Sequence, residues 1–250
     1  MKKWSAATLL LTSLSIATAV QSAPITGVVN LTGSAGVSAT AVDFFGNSTA
    51  GCGDPALGTP GCFLINAPRE GDFLTLPVGQ PGGTIQDLQG PPISGSISLP
   101  SFMTFNNGIV FDLTRVVAGG APDCATVNGS AANATCTPVI NGQVSPFVLT
   151  NSSNGANASV FFNVEVNAYL GSSATGFSQY IGAFNTPSAG KNIAGILADI
   201  ANGKTISAAY SANFVGTNAD VPEPDSIALF AIGLIGIVAG SLRSKRASNN

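Results

Sequence analysis

Ala158-Ser159-Val160-Phe161-Phe162-Asn163-Val164-Glu165-Val166-Asn167-Ala168-Tyr169-Leu170 places an apolar residue at every second position. Its even positions are all apolar, while Ser159, Asn163, Glu165 and Asn167 fall between them. Successive side chains of a strand point to opposite faces, so a period of two over this length predicts a long strand with one face in a core. Ile206, Ala208, Tyr210, Ala212 and Phe214 repeat the pattern against Thr205, Ser207, Ser211 and Asn213. Ile109, Phe111 and Leu113 do so around Asp112 and Thr114. Shorter apolar runs at 25–31, 37–45, 62–66, 73–76, 97–105, 144–150 and 177–184 read as further strands. Gly, Pro and Asn separate them, with too little chain between for repeated helical crossovers. The expected fold is therefore all-β, an antiparallel β-sandwich. One short helical insertion is expected as well: Ile193, Ile196, Leu197 and Ile200 recur at helical spacing, with Thr186-Pro187 as a start and Gly203 as an end.

Both ends of the chain differ from this middle. Lys2 and Lys3 precede an apolar stretch from about Ala6 to Val20 with small residues behind it, which reads as a signal peptide over residues 1–23 handed to the Sec translocon. Residues 24–220 form the expected ectodomain, and 221–250 a third segment. That segment begins Val221-Pro222-Glu223-Pro224-Asp225-Ser226, continues as an uncharged apolar run over 227–242, and ends in Arg243-Ser244-Lys245-Arg246. Two prolines keep the first part extended and open to another protein. The apolar run is close to the length of about 17–25 residues that crosses a bilayer, so it predicts a single short transmembrane helix. Gly236 and Gly240 give that helix a small-residue face. Arg243, Lys245 and Arg246 resist translocation and hold the end in the cytoplasm.

Proline-acid-proline, apolar helix and basic tail in this order closely resemble the PEP-CTERM sorting signal of Gram-negative bacteria, whose bearers are processed by the membrane peptidase exosortase. By that resemblance Val221, Pro222, Glu223, Pro224 and Ser226 form the recognition element, and Arg243, Lys245 and Arg246 the stop. The resemblance also implies a transient stay in the inner membrane, release to the cell surface or extracellular matrix, and an association with exopolysaccharide or biofilm.

Composition narrows the chemistry of the ectodomain. Residues 24–220 carry four cations (Arg69, Arg115, Lys191, Lys204) against ten carboxylates, a formal charge of −6, so nucleic acid is not an expected partner. There is no histidine, which removes Ser-His-Asp and Cys-His mechanisms and the commonest metal ligand. Carboxylate pairs remain, as in glycoside hydrolysis. Glu70 and Asp72 stand two apart, on one side of a strand if extended, and Asp87 is available to join them. A solvated turn before the expected strand at 73–76 is the favoured reading of that cluster, because nothing in the spacing demands a substrate, and no catalysis, cofactor or metal is expected. No Asp-x-Asp-x-Asp loop accompanies Asp54, Asp72, Asp87 or Asp123. Asp112 and Arg115, three apart, are expected on opposite strand faces.

Four cysteines suit an exported chain, and pairing Cys52 with Cys62 and Cys124 with Cys136 closes two short polar loops. A metal site using all four cysteines is the alternative, without a Cys-x-x-Cys pair to support it. Six Asn-x-Ser/Thr triplets, at Asn30, Asn47, Asn128, Asn133, Asn151 and Asn157, are read as loop markers. Phe161 and Tyr169 interrupt the polar face of the best strand. They form either a platform on which a sugar ring stacks or the contact with a second sheet. A carbohydrate-binding module and a glycan-active enzyme using Glu70, Asp72 or Asp87 are thus the alternatives to a non-enzymatic surface protein.

Overall fold

The computed structural model describes residues 24–45, 57–90, 94–140, 142–171, 176–187 and 190–217. In chain order the strands are β1 (Val28–Val37), β2 (Ala41–Phe45), β3 (Gly61–Arg69), β4 (Pro81–Ile85), β5 (Leu88–Gln89), β6 (Gly95–Phe105), β7 (Ile109–Val116), β8 (Thr135–Cys136), β9 (Val139–Ile140), β10 (Gln143–Val144), β11 (Val148–Asn151), β12 (Ala158–Leu170), β13 (Ser178–Pro187) and β14 (Ile206–Gly216). Between β13 and β14 lies the one α-helix of the described residues, α1 (Ile193–Ala201).

These strands do not stack as two sheets. Eight of them close into an antiparallel barrel in the order β13-β14-β1-β3-β4-β6-β7-β12, and β12 returns to pair with β13 from Ser159↔Pro187 to Ala168↔Ser178. The expected sandwich is corrected to a closed barrel. Alternation along a strand tells inside from outside but is identical for a sandwich and a barrel, so only the β12–β13 pairing separates them. Closure also removes the unpaired edges that a sandwich would leave.

The barrel interior is filled by rings. Phe63, Phe105, Phe111, Phe214, Phe184, Phe162 and Phe147 each touch the next, at centroid separations from 4.7 to 5.7 Å, in a continuous file through the core. Most meet edge to face, the arrangement that an aromatic quadrupole favours, worth about 0.5–1.5 kcal/mol per pair beyond buried area. An eight-stranded barrel is just wide enough for such side chains to fill.

Several local expectations change. Residues 73–76 are not a strand: Gly71–Phe73 forms a single 3-10 turn whose Phe73 is fully buried against Phe105, Phe111 and Tyr180, plugging one end of the barrel. The helix starts later than Thr186-Pro187, which belong to β13; Asn192 caps it, its side chain accepting from the Gly195 amide at 3.0 Å. At the end of β12 the alternation breaks, leaving Leu170 exposed and Tyr169 buried.

Pro81-Gly82-Gly83-Thr84-Ile85 reads as a turn, yet it is β4, a wall of the barrel. A methyl group on Gly83 would lie 1.9 Å from the Thr104 carbonyl oxygen, and one on Gly82 2.4 Å from Ile65 Cδ1. Glycine here allows β6 and the Ile65 side chain to approach the strand closely.

The end of the barrel opposite Phe73 is built from short pieces. β2 and β5 extend the wall there, and β8, β11 and α1 gather around Asn151. Cys124 and Cys136 are joined, closing the 124–136 loop beside them.

Candidate functional site

Val221, Pro222, Glu223, Pro224 and Ser226, together with Arg243, Lys245 and Arg246, lie outside the described residues, as do residues 1–23 and Cys52. Cys62 is disulfide-bonded. Among the described residues no helix is long and apolar enough to cross a membrane, and the 227–242 run is not among them.

The structure does place the point from which the C-terminal segment departs. β14 ends at Gly216, whose amide donates to the Gly27 carbonyl, and the Thr217 amide donates to the Gln179 carbonyl at 2.8 Å. This is the Phe73 end of the barrel. The 70–80 loop is held there by Asp72, whose carboxylate accepts from the Thr26 amide at 2.7 Å, and by Asn107 of the β6–β7 hairpin, whose side-chain amide donates to the Asp72 carbonyl at 3.1 Å.

The three acids considered for catalysis do not converge. Glu70 and Asp72 sit before β4, at this exit end. Asp87 lies beyond β4, where it is buried and its carboxylate accepts from the Phe44 amide at 2.8 Å and the Gly58 amide at 2.6 Å. Five strand residues at about 3.3 Å each put roughly 17 Å of wall between the two groups. Carboxylate pairs in glycosidases stand about 5–10 Å apart. Asp87 instead fixes the path of β2 by accepting two backbone donors.

Asp112 and Arg115 share a face, against expectation. Glu165 pairs with Arg115 while the adjacent Val166 pairs with Leu113, so Thr114 is an extra residue in β7 and the bulge turns Arg115 outward. Asp112 accepts from the Ser101 amide at 2.7 Å and from the Tyr169 hydroxyl at 3.0 Å. Arg115 pairs with Glu165 at 3.2 Å in a solvent-exposed contact. Burial first, and then the Asp112 carboxylate, push the Tyr169 phenol above its ordinary range. Tyr169 is therefore committed to the wall, while Phe161 remains 38 % exposed.

Phe161 belongs to an outer face of low charge. Across β12, β13, β14 and β1, one register row reads Phe161, Asn185, Ser211, Thr32 and the next Asn163, Ala183, Asn213, Asn30. The Asn213 side chain donates to Asn30 Oδ1 at 2.7 Å, and Asn30 donates onward to the Pro68 carbonyl at 2.7 Å. Asn30 and Asn151 are thus strand residues rather than loop markers, and Asn151 is buried.

A cavity of about 290 Å³ opens at the far end, between Val42, Leu88, Ser96, Val116, Phe147 and Phe162 among others, with no charged residue among the described ones that line it. A smaller void of about 40 Å³ lies under α1, between Ile196, Ile200, Phe147 and Ala35. Beside α1, Asp199 pairs with Lys191 and Lys204, which hold its carboxyl below the ordinary carboxylate range. Among the described residues no group of three His, Cys, Asp or Glu side chains is arranged to hold a metal.

Residues 220–245 match the family model of the PEP-CTERM protein-sorting motif, so the chain carries this sorting signal, the mark of a protein passed to exosortase on its way through the cell envelope toward the surface. No curated protein and no solved structure matches the chain.

Proposed function

We propose that this chain is an exported surface or extracellular-matrix protein without catalysis of its own. A short membrane span over 227–242 tethers it to the inner membrane, exosortase cuts near Pro222-Glu223-Pro224, and the barrel is released to sit in exopolysaccharide or biofilm. The observation that carries this reading is the sorting-motif match over 220–245. Two observations support a non-catalytic role: Asp87 stands at the other end of the barrel from Glu70 and Asp72, and the Asp72 carboxylate is engaged by the Thr26 amide and hydroxyl as part of a loop anchor.

The test is replacement of Pro222, Glu223 and Pro224 together by alanine in the native host, followed by fractionation. The expected outcome is a full-length protein retained in the inner membrane, as in a host lacking exosortase. Unchanged release in either background would overturn the reading.

A second reading, carbohydrate contact without turnover, is favoured by Phe161. An exposed ring beside rows of asparagine, serine and threonine offers a stacking surface and neutral hydrogen-bonding groups on one face.

A further inference from the structure

The end of the barrel from which the C-terminal segment leaves also exposes apolar side chains on its loops. Leu74 and Val78 lie on the 70–80 loop and are 59 % and 44 % exposed. Leu170 ends β12 and Phe177 precedes β13, at 53 % and 49 %. Ile181 and Val215 are cross-strand partners one step down the outer wall and are similarly exposed. Asn107 and Asp72 bind the 70–80 loop to the β6–β7 hairpin and to the segment that leads into β1. The Leu74 loop therefore belongs to the same fixed rim as the turn beside Leu170. Arg69, Glu70 and Asp72 are the charges on its 70–80 loop side, and Asp72 is occupied with Thr26.

The opposite end exposes Leu57, Ile97, Val139 and Val144, so exposure alone does not choose between the two. Chain length does. Ten residue steps separate Thr217 from Ile227, where the apolar run begins. Fully extended, they reach about 35 Å. β14 itself is 11 residues long, close to 35 Å at about 3.3 Å per residue. Bringing the far end to the bilayer would consume the whole linker along the side of the barrel, whereas the exit rim needs almost none of it.

We propose that, while the chain is tethered, the exit rim rests on the outer surface of the lipid bilayer, with Leu74, Val78, Leu170 and Phe177 in the interfacial layer. This rests on the tether reading above. Held within reach by the span, these exposed side chains act at high effective concentration, so a contact too weak to bind a free protein is populated in the tethered one. The docked barrel brings the 218–226 linker to the membrane surface, where a membrane peptidase works.

The test uses the full chain reconstituted into phosphatidylcholine vesicles, part of the lipid being brominated on its acyl chains to quench nearby tryptophan. Trp4, the one tryptophan of the chain, is replaced by phenylalanine. Single tryptophans are then introduced as Leu74→Trp, Phe177→Trp, Val144→Trp and Phe230→Trp. The expected result is loss of most emission at 74, 177 and 230, with emission at 144 unchanged by bromination. Quenching at 230 without quenching at 74 and 177 overturns the docking while the tether stands. Equal quenching at 144 and 74 overturns the orientation. A blue-shifted, bromine-insensitive signal at 74 means burial against protein and also overturns it. Absence of quenching at 230 removes the tether, and the docking with it.

Discussion

Gly83 shows how little separates a closed wall from an open one. Its φ of +150° is one that side-chain-bearing residues rarely adopt, and an added Cβ would meet the Thr104 carbonyl at 1.9 Å. Gly83→Ala is expected to lower stability by about 2–4 kcal/mol, through backbone strain and displacement of β6 from β4. A denaturant midpoint shift with an unchanged slope would measure it; an unaltered midpoint would show that β4 yields without cost. Thr114 acts at the same scale in the opposite sense. One extra residue in β7 reverses which face Arg115 occupies, and so makes an outer pair with Glu165 that spacing alone disallows.

Among the elements, α1 depends on a neighbour rather than on its own propensity. It is nine residues long, below the length at which helices persist alone, and it contains Gly195. Its first turn is fastened by Asn151 of β11, whose Oδ1 accepts from the Ile193 amide at 2.9 Å. The same side chain donates to the carbonyls of Gly129 at 2.9 Å and Ala131 at 2.8 Å, inside the disulfide-closed 124–136 loop. Truncation leaves the buried Ile193 amide without its acceptor, at about 1–3 kcal/mol, and removes two part-buried bonds to carbonyls that keep the Ala194 and Ala134 amides as donors. Asn151→Ala is thus expected to cost about 2–3 kcal/mol. Amide exchange in α1 and the 128–134 loop should accelerate more than exchange in β12. Uniform acceleration would show that the helix has no separate dependence on Asn151.

For the whole molecule, closure determines how the barrel meets high pH. All three tyrosines of the chain, Tyr169, Tyr180 and Tyr210, have phenols raised above their ordinary range, chiefly by burial. The hydroxyls of Tyr180 and Tyr210 have no hydrogen-bond partner among the described residues. A raised acid is neutral in the fold and ionises more readily in the unfolded chain. Its contribution is therefore complete below the unfolded value of about 10 and is lost as pH climbs above it. Alkaline titration followed at the phenolate absorbance is expected to stay flat through about pH 10 and then rise in one step with loss of the fold. Separate early titration of two tyrosines would contradict a closed, dry interior.

Much of this is legible from residue types alone. The β12 and β14 alternations, the apolar spacing of α1 and the order of proline, acid, apolar run and cations at the C-terminus are local patterns, and local patterns survive without a fold. β4 is hidden because its glycines mark a turn unless Ile65 and Thr104 are known to crowd it. The acids Glu70, Asp72 and Asp87 look like a cluster because chain distance is blind to β4 standing between them. Residue order is enough for an all-β chain with a sorting signal and one small helix. That the strands close into a barrel rather than stack emerges only in three dimensions, because inside and outside alternate identically in both and the choice lies in which distant strand β12 pairs with.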